Sequence, residues 1–265
     1  MIHPYRAEIT GLLLLIAATA AFFIHPPTAV ALLLFYVVLC VSACFFPRMN
    51  FLGPVVSRGC TGKNNVALTF DDGPSPLTTG KILDLLDRYS VKATFFVSGV
   101  NAMQYPELIL EIIRRGHGIG NHSMSHDPFV MMKPYRVLYR EVSDAQCVLR
   151  KMGVDALTFR PPVGIINPKL SSILKQLGLI CVTFSCRALD AGNFRIKNLA
   201  DRILKKVKDN DIILLHDTPP RRPEDHVVLM QEFEKILAGI SDKGLRIVPL
   251  SGLIDRDIMH LEQPT

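Results

Sequence analysis

From Val66 onward, short apolar runs alternate with segments of helical period, and this alternation restricts the fold more than any other feature of the chain. VALTF (66–70), ATFFV (93–97), ALTF (156–159), LICVTF (179–184), DIILL (211–215) and LRIVPL (245–250) are rich in β-branched and aromatic residues and read as strands. Between them, TGKILDLLDRY puts Ile82, Leu83, Leu85 and Leu86 on one side of a helix, and PELILEIIRRG (106–116) is a helix stopped by Gly116. Further helices are predicted over about 134–151, 167–177, 197–208 and 225–240. Apolar strands joined through helices form a parallel sheet with helices covering it. About six or seven such units suit a closed or nearly closed (β/α) barrel, with an open doubly wound sheet as the competing architecture. No Walker loop or G-x-G-x-x-G follows any strand, which counts against a nucleotide-binding open sheet. In a barrel, chemistry gathers at the C-terminal ends of the strands, so reactive residues should fall directly after these runs.

The front of the chain has a different character. Hydrophobic residues make up 49% of the 265 residues, and the excess is N-terminal. GLLLLIAATAAFFI (11–24) carries no charge, and after His25-Pro26-Pro27 a second uncharged run, TAVALLLFYVVLCVSACFF, covers 28–46. The second is long enough to cross a bilayer. We expect residues 1–47 to form an anchor, a pair of transmembrane helices turning at the prolines. A cleaved signal peptide and a lipoprotein-like site at Val41-Ser42-Ala43-Cys44 are the other readings. Residues 48–63 are then a linker, 64–255 the catalytic domain and 256–265 a tail. Arg48, Arg58 and Lys63 follow the second run whereas the connector has no Lys or Arg, so the domain is expected on the cytoplasmic side of a bacterial inner membrane. The net charge of +6 is not arranged in basic blocks with interleaved aromatics, and there is no Trp. A basic face near anionic lipid explains it better than nucleic acid. Cys60, Cys147, Cys181 and Cys186 show no zinc-ribbon spacing and are expected to be buried free thiols.

The reactive residues do fall after strands. Asp71 and Asp72 follow VALTF, Arg160-Pro161-Pro162 follows ALTF, Asp190 lies six residues beyond LICVTF, and His216 and Asp217 come directly after DIILL. HGIGNHSMSH carries His122 and His126 four residues apart. On a helical turn that spacing puts two imidazoles on one side, close enough to grip one cation. Two histidines and a carboxylate form an open metal set with a position left for water or substrate. A cation on one carboxylate also relieves the repulsion within the Asp pair. One Asp can then ligate while its neighbour accepts a proton. His216 supplies an acid for a leaving group, and a guanidinium at Arg160 would hold the base Asp71 charged and oriented. Each feature alone has a bland alternative: a turn at Asp-Gly-Pro, solvent-facing histidines, or a surface arginine.

Taken in order, Phe70-Asp71-Asp72-Gly73, His122-Ser123-Met124-Ser125-His126, Arg160-Pro161-Pro162-Val163-Gly164 and Leu214-Leu215-His216-Asp217 resemble the successive motifs of the polysaccharide deacetylase (NodB-homology, carbohydrate esterase 4) family across about residues 64–250. The resemblance implies a distorted (β/α) barrel with one divalent metal, usually zinc, although cobalt, nickel or manganese suits the same donors. It implies Asp72, His122 and His126 as ligands, Asp71 as base, Arg160 as its positioning partner and His216 as acid. Asp190 would pair with Arg160, and Pro161 and Leu214 would line the substrate pocket. The tryptophan that often follows the Asp in this family's motif is missing from Asp190-Ala191-Gly192-Asn193-Phe194, where Phe194 would replace part of the sugar-stacking surface.

The implied reaction is hydrolysis of an N-acyl group on an amino sugar, whether in a polysaccharide, peptidoglycan or a lipid-linked precursor. An O-acetyl carbohydrate esterase and a catalytically silent carbohydrate-binding relative are the alternatives. The expected partners are the glycan or lipid-linked sugar and membrane lipid, with no nucleic acid and no protein partner.

Overall fold

The computed structural model describes residues 6–261; the last four residues of the expected tail lie outside them. Two helices come first, α1 (Arg6–Phe22) and α2 (Pro26–Phe45), folded back on each other so that the Tyr36 hydroxyl donates to the Ala7 carbonyl at 3.0 Å. Among the described residues only α2, with 20 residues, is long and apolar enough to cross a membrane. The expected pair of spanning helices is therefore corrected to one apolar helix of spanning length. In α1, Arg6 and Glu8 occupy the first turn. Its uncharged part, Ile9–Phe22, rises about 21 Å against the roughly 30 Å of a hydrocarbon core.

The remainder alternates strand and helix. In chain order come β1 (Val55–Val56), β2 (Asn65–Asp71), α3 (Thr79–Arg88), β3 (Thr94–Val97), α4 (Gly99–Gln104), α5 (Pro106–Arg114) and β4 (Gly118–Asn121). Then follow α6 (Tyr135–Lys151), β5 (Val154–Ala156), β6 (Thr158–Phe159), α7 (Pro168–Leu177), β7 (Ile180–Val182), β8 (Cys186–Arg187) and α8 (Leu199–Leu204). The series closes with β9 (Ile212–His216), α9 (Asp225–Asp242), β10 (Arg246–Ile247), α10 (Leu250–Ile254) and β11 (Met259–Leu261). The main sheet runs β1-β7-β6-β4-β3-β2-β9-β8, all parallel, with β10 added beside β2. Its two end strands do not pair, so the barrel is distorted and incompletely closed. Because every strand on this path points the same way, their C-terminal ends share one rim. Register places Asp71 opposite both Phe96 and His216, and Asn121 opposite Phe159.

Strand parity divides the core. Val66, Leu68 and Phe70 face the covering helices, where Phe70 stacks on Phe95 at 5.2 Å and meets Phe233 edge-on at 5.6 Å. Ala67 faces the opposite way, into a second cluster with Phe96, Val182 and Ile212 plugged by Leu250, Leu253 and Ile254 of α10. Thr69 and Asp71 share that parity and therefore point inward, toward the chemistry. Helix ends follow local rules. Asn167 caps α7 by accepting from Leu170 N–H at 2.8 Å, Pro168 opens it, and Gly178 closes it with φ of 69°.

Three expectations change. Within residues 48–63, read as a linker, Leu52 and Val55 are buried and Val55–Val56 join the sheet as β1 beside β7. Met259–Leu261, within the expected tail, pairs antiparallel with β5. All six cysteines are free, but only Cys181 and Cys186 are buried, while Cys60 and Cys147 are exposed.

Candidate active site

The rim gathers Asp71, Asp72, His122, His126, Asp190, Leu214 and His216 around one cavity of 970 Å³. The adjacent aspartates do different things. Asp71 continues β2 with its side chain directed inward and buried, and its Oδ1 accepts from Arg160 Nη1 at 2.5 Å. Asp72 takes a left-handed conformation with φ of 73°, and its Oδ1 and the Asp71 Oδ2 lie 3.2 and 3.8 Å from the same His122 Nε2. A Cβ at Gly73 would collide with the Asp217 carboxylate, which explains the glycine that follows.

Asp72 Oδ1 lies 2.9 Å from His126 Nε2 and 3.2 Å from His122 Nε2. The three ligand atoms fall within 4.8 Å of one another. His122 Nδ1–H donates to the Arg160 carbonyl at 2.7 Å. That bond aims Nε2 at Asp72, the orientation a metal-ligating histidine needs. One carboxylate oxygen and two imidazole nitrogens converging in this way fit a divalent cation. Burial opposes the charge on Asp72, yet hydrogen bonds from His122 and His126 hold its carboxyl well below the usual carboxylate range. Burial lowers His126 as well, and Asp72 more than compensates, so its pKa is raised.

The helical turn expected for His122–His126 is absent. The segment is a loop with Ser123 at φ of 68° and His126 at 54°. It is held by residues that spacing did not point to. Ser123 N–H donates to Asn121 Oδ1 at 2.9 Å, and Ser125 donates through both N–H and Oγ to the Glu141 carboxylate at 2.9 Å each. Asn101 Nδ2 donates to the Asp72 carbonyl at 2.7 Å.

Arg160 is fully buried, with its guanidinium 3.9 Å from the Phe96 ring centroid. It donates to Asp71, to Thr69 Oγ1 at 2.8 Å, and to the Val182 and Thr183 carbonyls. Asp190 is not beside it. Asp190 follows β8, the neighbour of β9, so it meets the end of β9 instead: His216 Nδ1–H donates to Asp190 Oδ2 at 2.7 Å. Burial disfavours the imidazolium, but the Asp190 bond and the charges of Asp190, Asp72 and Asp71 outweigh it and push His216 up to about 9. Asn193, also unsignalled, ties this loop down through bonds to the His216 and Thr218 carbonyls at 2.9 and 2.7 Å. Leu214 and Phe194 line the cavity, Phe194 being 66% exposed. Pro161 is buried behind the lining, and Val163 and Gly164 of the same motif face the cavity in its place. Val163 adopts φ of 53°, a strained conformation for a β-branched residue.

An open parallel (β/α) barrel carrying an Asp-His-His cation site, an arginine-held carboxylate and a carboxylate-held histidine defines a class of metal-dependent hydrolases. Residues 58–182 match the polysaccharide deacetylase family model. A peptidoglycan-N-acetylglucosamine deacetylase of Bacillus cereus is 34% identical over 191 residues, covering 71% of this chain and 87% of that protein. A chitooligosaccharide deacetylase of Sinorhizobium fredii is 36% identical, covering 62% of this chain and 77% of the relative. The peptidoglycan-N-acetylmuramic acid deacetylase PdaC of Bacillus subtilis is 32% identical, and this chain spans 38% of its length. Among solved structures, the Bc1960 peptidoglycan N-acetylglucosamine deacetylase superposes with a TM-score of 0.69 at 30% identity, over 77% of this chain and 94% of that one. The chain belongs to the polysaccharide deacetylase (NodB homology, carbohydrate esterase 4) family, and it is a hydrolase of the carbohydrate N-deacetylase class.

Proposed function

We propose that the protein is held at a membrane by α2 and hydrolyses the N-acyl group, typically acetyl, of an amino sugar in a glycan or a lipid-linked glycan precursor. Water adds across the amide C–N bond, the acyl group leaves as a carboxylate and the sugar keeps a free amine. Asp72, His122 and His126 would hold the divalent cation, zinc first among those the donors accept. When bound, that ion supplies Lewis-acid polarisation and lowers the pKa of water.

The remaining roles belong to the chain itself. Arg160 orients Asp71 by donating to Oδ1, which leaves Oδ2 beside the ligand cluster, 3.8 Å from His122 Nε2. From there Asp71 takes the proton of the attacking water as general base. His216, kept cationic at neutral pH by Asp190, gives a proton to the departing nitrogen as general acid. Leu214 packs against the acyl methyl, and Phe194 offers an exposed ring to a sugar face.

One observation carries this reading: the cation ligands, the base and the acid are three separately anchored groups around a single cavity. The positive residues after α2 support a domain facing the cytoplasm, where precursors are built. The test is metal analysis of the purified full-length protein with a deacetylation screen over chitin oligomers, peptidoglycan and lipid-linked amino sugars. Metal-loaded protein that releases acyl groups from none of them would defeat the proposal.

A further inference from the structure

The catalytic cavity continues, through Val163, Gly164, Phe184 and Arg187, into a second hollow of 470 Å³ whose far wall is the end of α2 and the residues after it, Phe45 to Arg48. This hollow is fixed in place. The Cys44 carbonyl accepts from Ile166 N–H at 3.1 Å, and Ala43 is buried in a cluster with Leu52, Val55 and Ile166. The end of the apolar helix is therefore attached to Ile166, two residues beyond the Arg160–Gly164 segment that borders the active site.

The chemistry of the hollow is ordered along its length. Among the described residues its lining includes two guanidinium groups, Arg48 and Arg187, and no carboxylate. Arg187 sits 5.2 Å from the Phe184 ring centroid, which orients it. Arg48 spends one of its five donors on the Ser185 carbonyl. Beyond them Phe45 and Phe46 are 59% and 63% exposed, and the apolar surface continues up α2 through Val41, Val38 and Val37. From the cation ligands outward the sequence is sugar-sized cavity, paired cations, then hydrocarbon-like surface. An uncharged polymer would use neither of the last two. A sugar joined to a lipid through a phosphate presents matching groups in the same order.

Resting on the deacetylase reading above, we propose that this groove binds the phosphate of a lipid-linked N-acyl amino sugar, with Arg187 and Arg48 on the phosphate and Phe45 and Phe46 against the first part of the lipid. Guanidinium groups suit this task because they donate two parallel hydrogen bonds to phosphate oxygens and are weakly hydrated beside apolar surface.

The test uses metal-loaded full-length protein in detergent micelles with three probes: N-acetylglucosamine on a short prenyl phosphate, N-acetylglucosamine 1-phosphate, and chitotetraose. We expect kcat/KM for the prenyl-phosphate sugar to exceed that for each of the others at least about tenfold. Arg187→Ala should cut the ratio of prenyl-phosphate sugar to chitotetraose by about tenfold, the size of one charge-assisted hydrogen bond. Arg48→Gln should act in the same direction. A readout independent of turnover comes from Phe46→Trp, since the chain has no other Trp. Its fluorescence should respond to prenyl phosphate and not to inorganic phosphate at the same concentration. Equal rates on the 1-phosphate and its prenyl form would show that a free sugar phosphate is the ligand and would overturn the lipid assignment. Preference for chitotetraose, with a ratio indifferent to both arginine variants, would overturn the groove and leave the deacetylase intact. Release of acyl groups from none of the three would instead count against the enzymatic reading itself.

Discussion

Arg160 Nη1 and Asp71 Oδ1 meet at 2.5 Å with both side chains inside the protein, and the same guanidinium sits over the Phe96 ring, 3.9 Å from its centroid. An ion pair so enclosed cannot lose one member cheaply. Removing the arginine strands a charge, whereas neutralising the aspartate leaves a guanidinium that still has Thr69 and two carbonyls to donate to. Arg160→Leu should therefore cost about 3–5 kcal/mol of stability in urea unfolding.

Asp71→Asn should keep its metal and fold while kcat falls by about a hundredfold or more, the range of a general base. Metal content by elemental analysis, measured beside kcat, checks this. Near-normal turnover would assign the base elsewhere.

His126→Ala removes one of three donors, so the variant should purify with little bound metal and with activity below detection. Chelation of the parent protein should reproduce the loss, and re-addition of a divalent ion should reverse it in the parent alone.

Glu141 touches no ligand atom yet receives two hydrogen bonds from Ser125 in the loop between the two histidines. Glu141→Ala should weaken metal affinity by about tenfold, as lost outer support for a ligand usually does. Competition against a chromogenic chelator measures it, and Glu141→Gln should recover part of the affinity.

His216 titrates at about 9 because Asp190 holds its imidazolium. Acting as an acid, it must be protonated, so activity should fall on the alkaline side as the proton leaves. Asp190→Asn removes the stabilising charge and lowers the pKa, moving the alkaline limb of kcat/KM toward neutrality. NMR titration of the metal-free protein gives the imidazole shift directly.

His117 offers a pH test remote from catalysis. It is 1% exposed, its Nδ1 accepts from Ala93 N–H at 3.1 Å, and its Nε2 has no partner among the described residues. Burial pushes its pKa down to about 4. Below its ordinary value near 6.5 the unfolded chain takes up a proton that the folded chain refuses. Its contribution is thus complete above pH 6.5 and is lost as pH falls toward 4, by roughly 2–3 kcal/mol. Unfolding free energies at pH 7, 5.5 and 4 should show this slope, and His117→Gln should flatten it.

Much of the site could be read from the chain because the sheet is parallel. Asp71, Arg160 and His216 each stand at or just after the end of a strand run, and parallel strands deliver such residues to one rim whatever the details of closure. Their partners were less legible. The motif pattern pairs Asp190 with Arg160, but β8 lies beside β9, and adjacency in the sheet outranks order along the chain. Glu141, Asn193 and Asn101 carry no motif, because a polar residue that fastens a loop resembles any polar residue until the loop has a shape. The His122–His126 spacing was compatible with a helix and with the left-handed loop that formed. Spacing sets reach along the chain and does not set backbone conformation.

By itself, the sequence determined the alternation of apolar strands with helices, the apolar stripe of α3, the Asp72, His122 and His126 donors that meet in one cluster, and the presence of an apolar helix ahead of them, whereas β4, β8 and α4 carried no signal. These follow from periodicity and functional groups, which are local properties. Only the tertiary structure decided that Asp190 serves His216, that Val55–Val56 join the sheet, and that the end of α2 walls the hollow adjoining the catalytic cavity. Those depend on which segments pack side by side, and packing is settled by the burial of surfaces far apart in the chain.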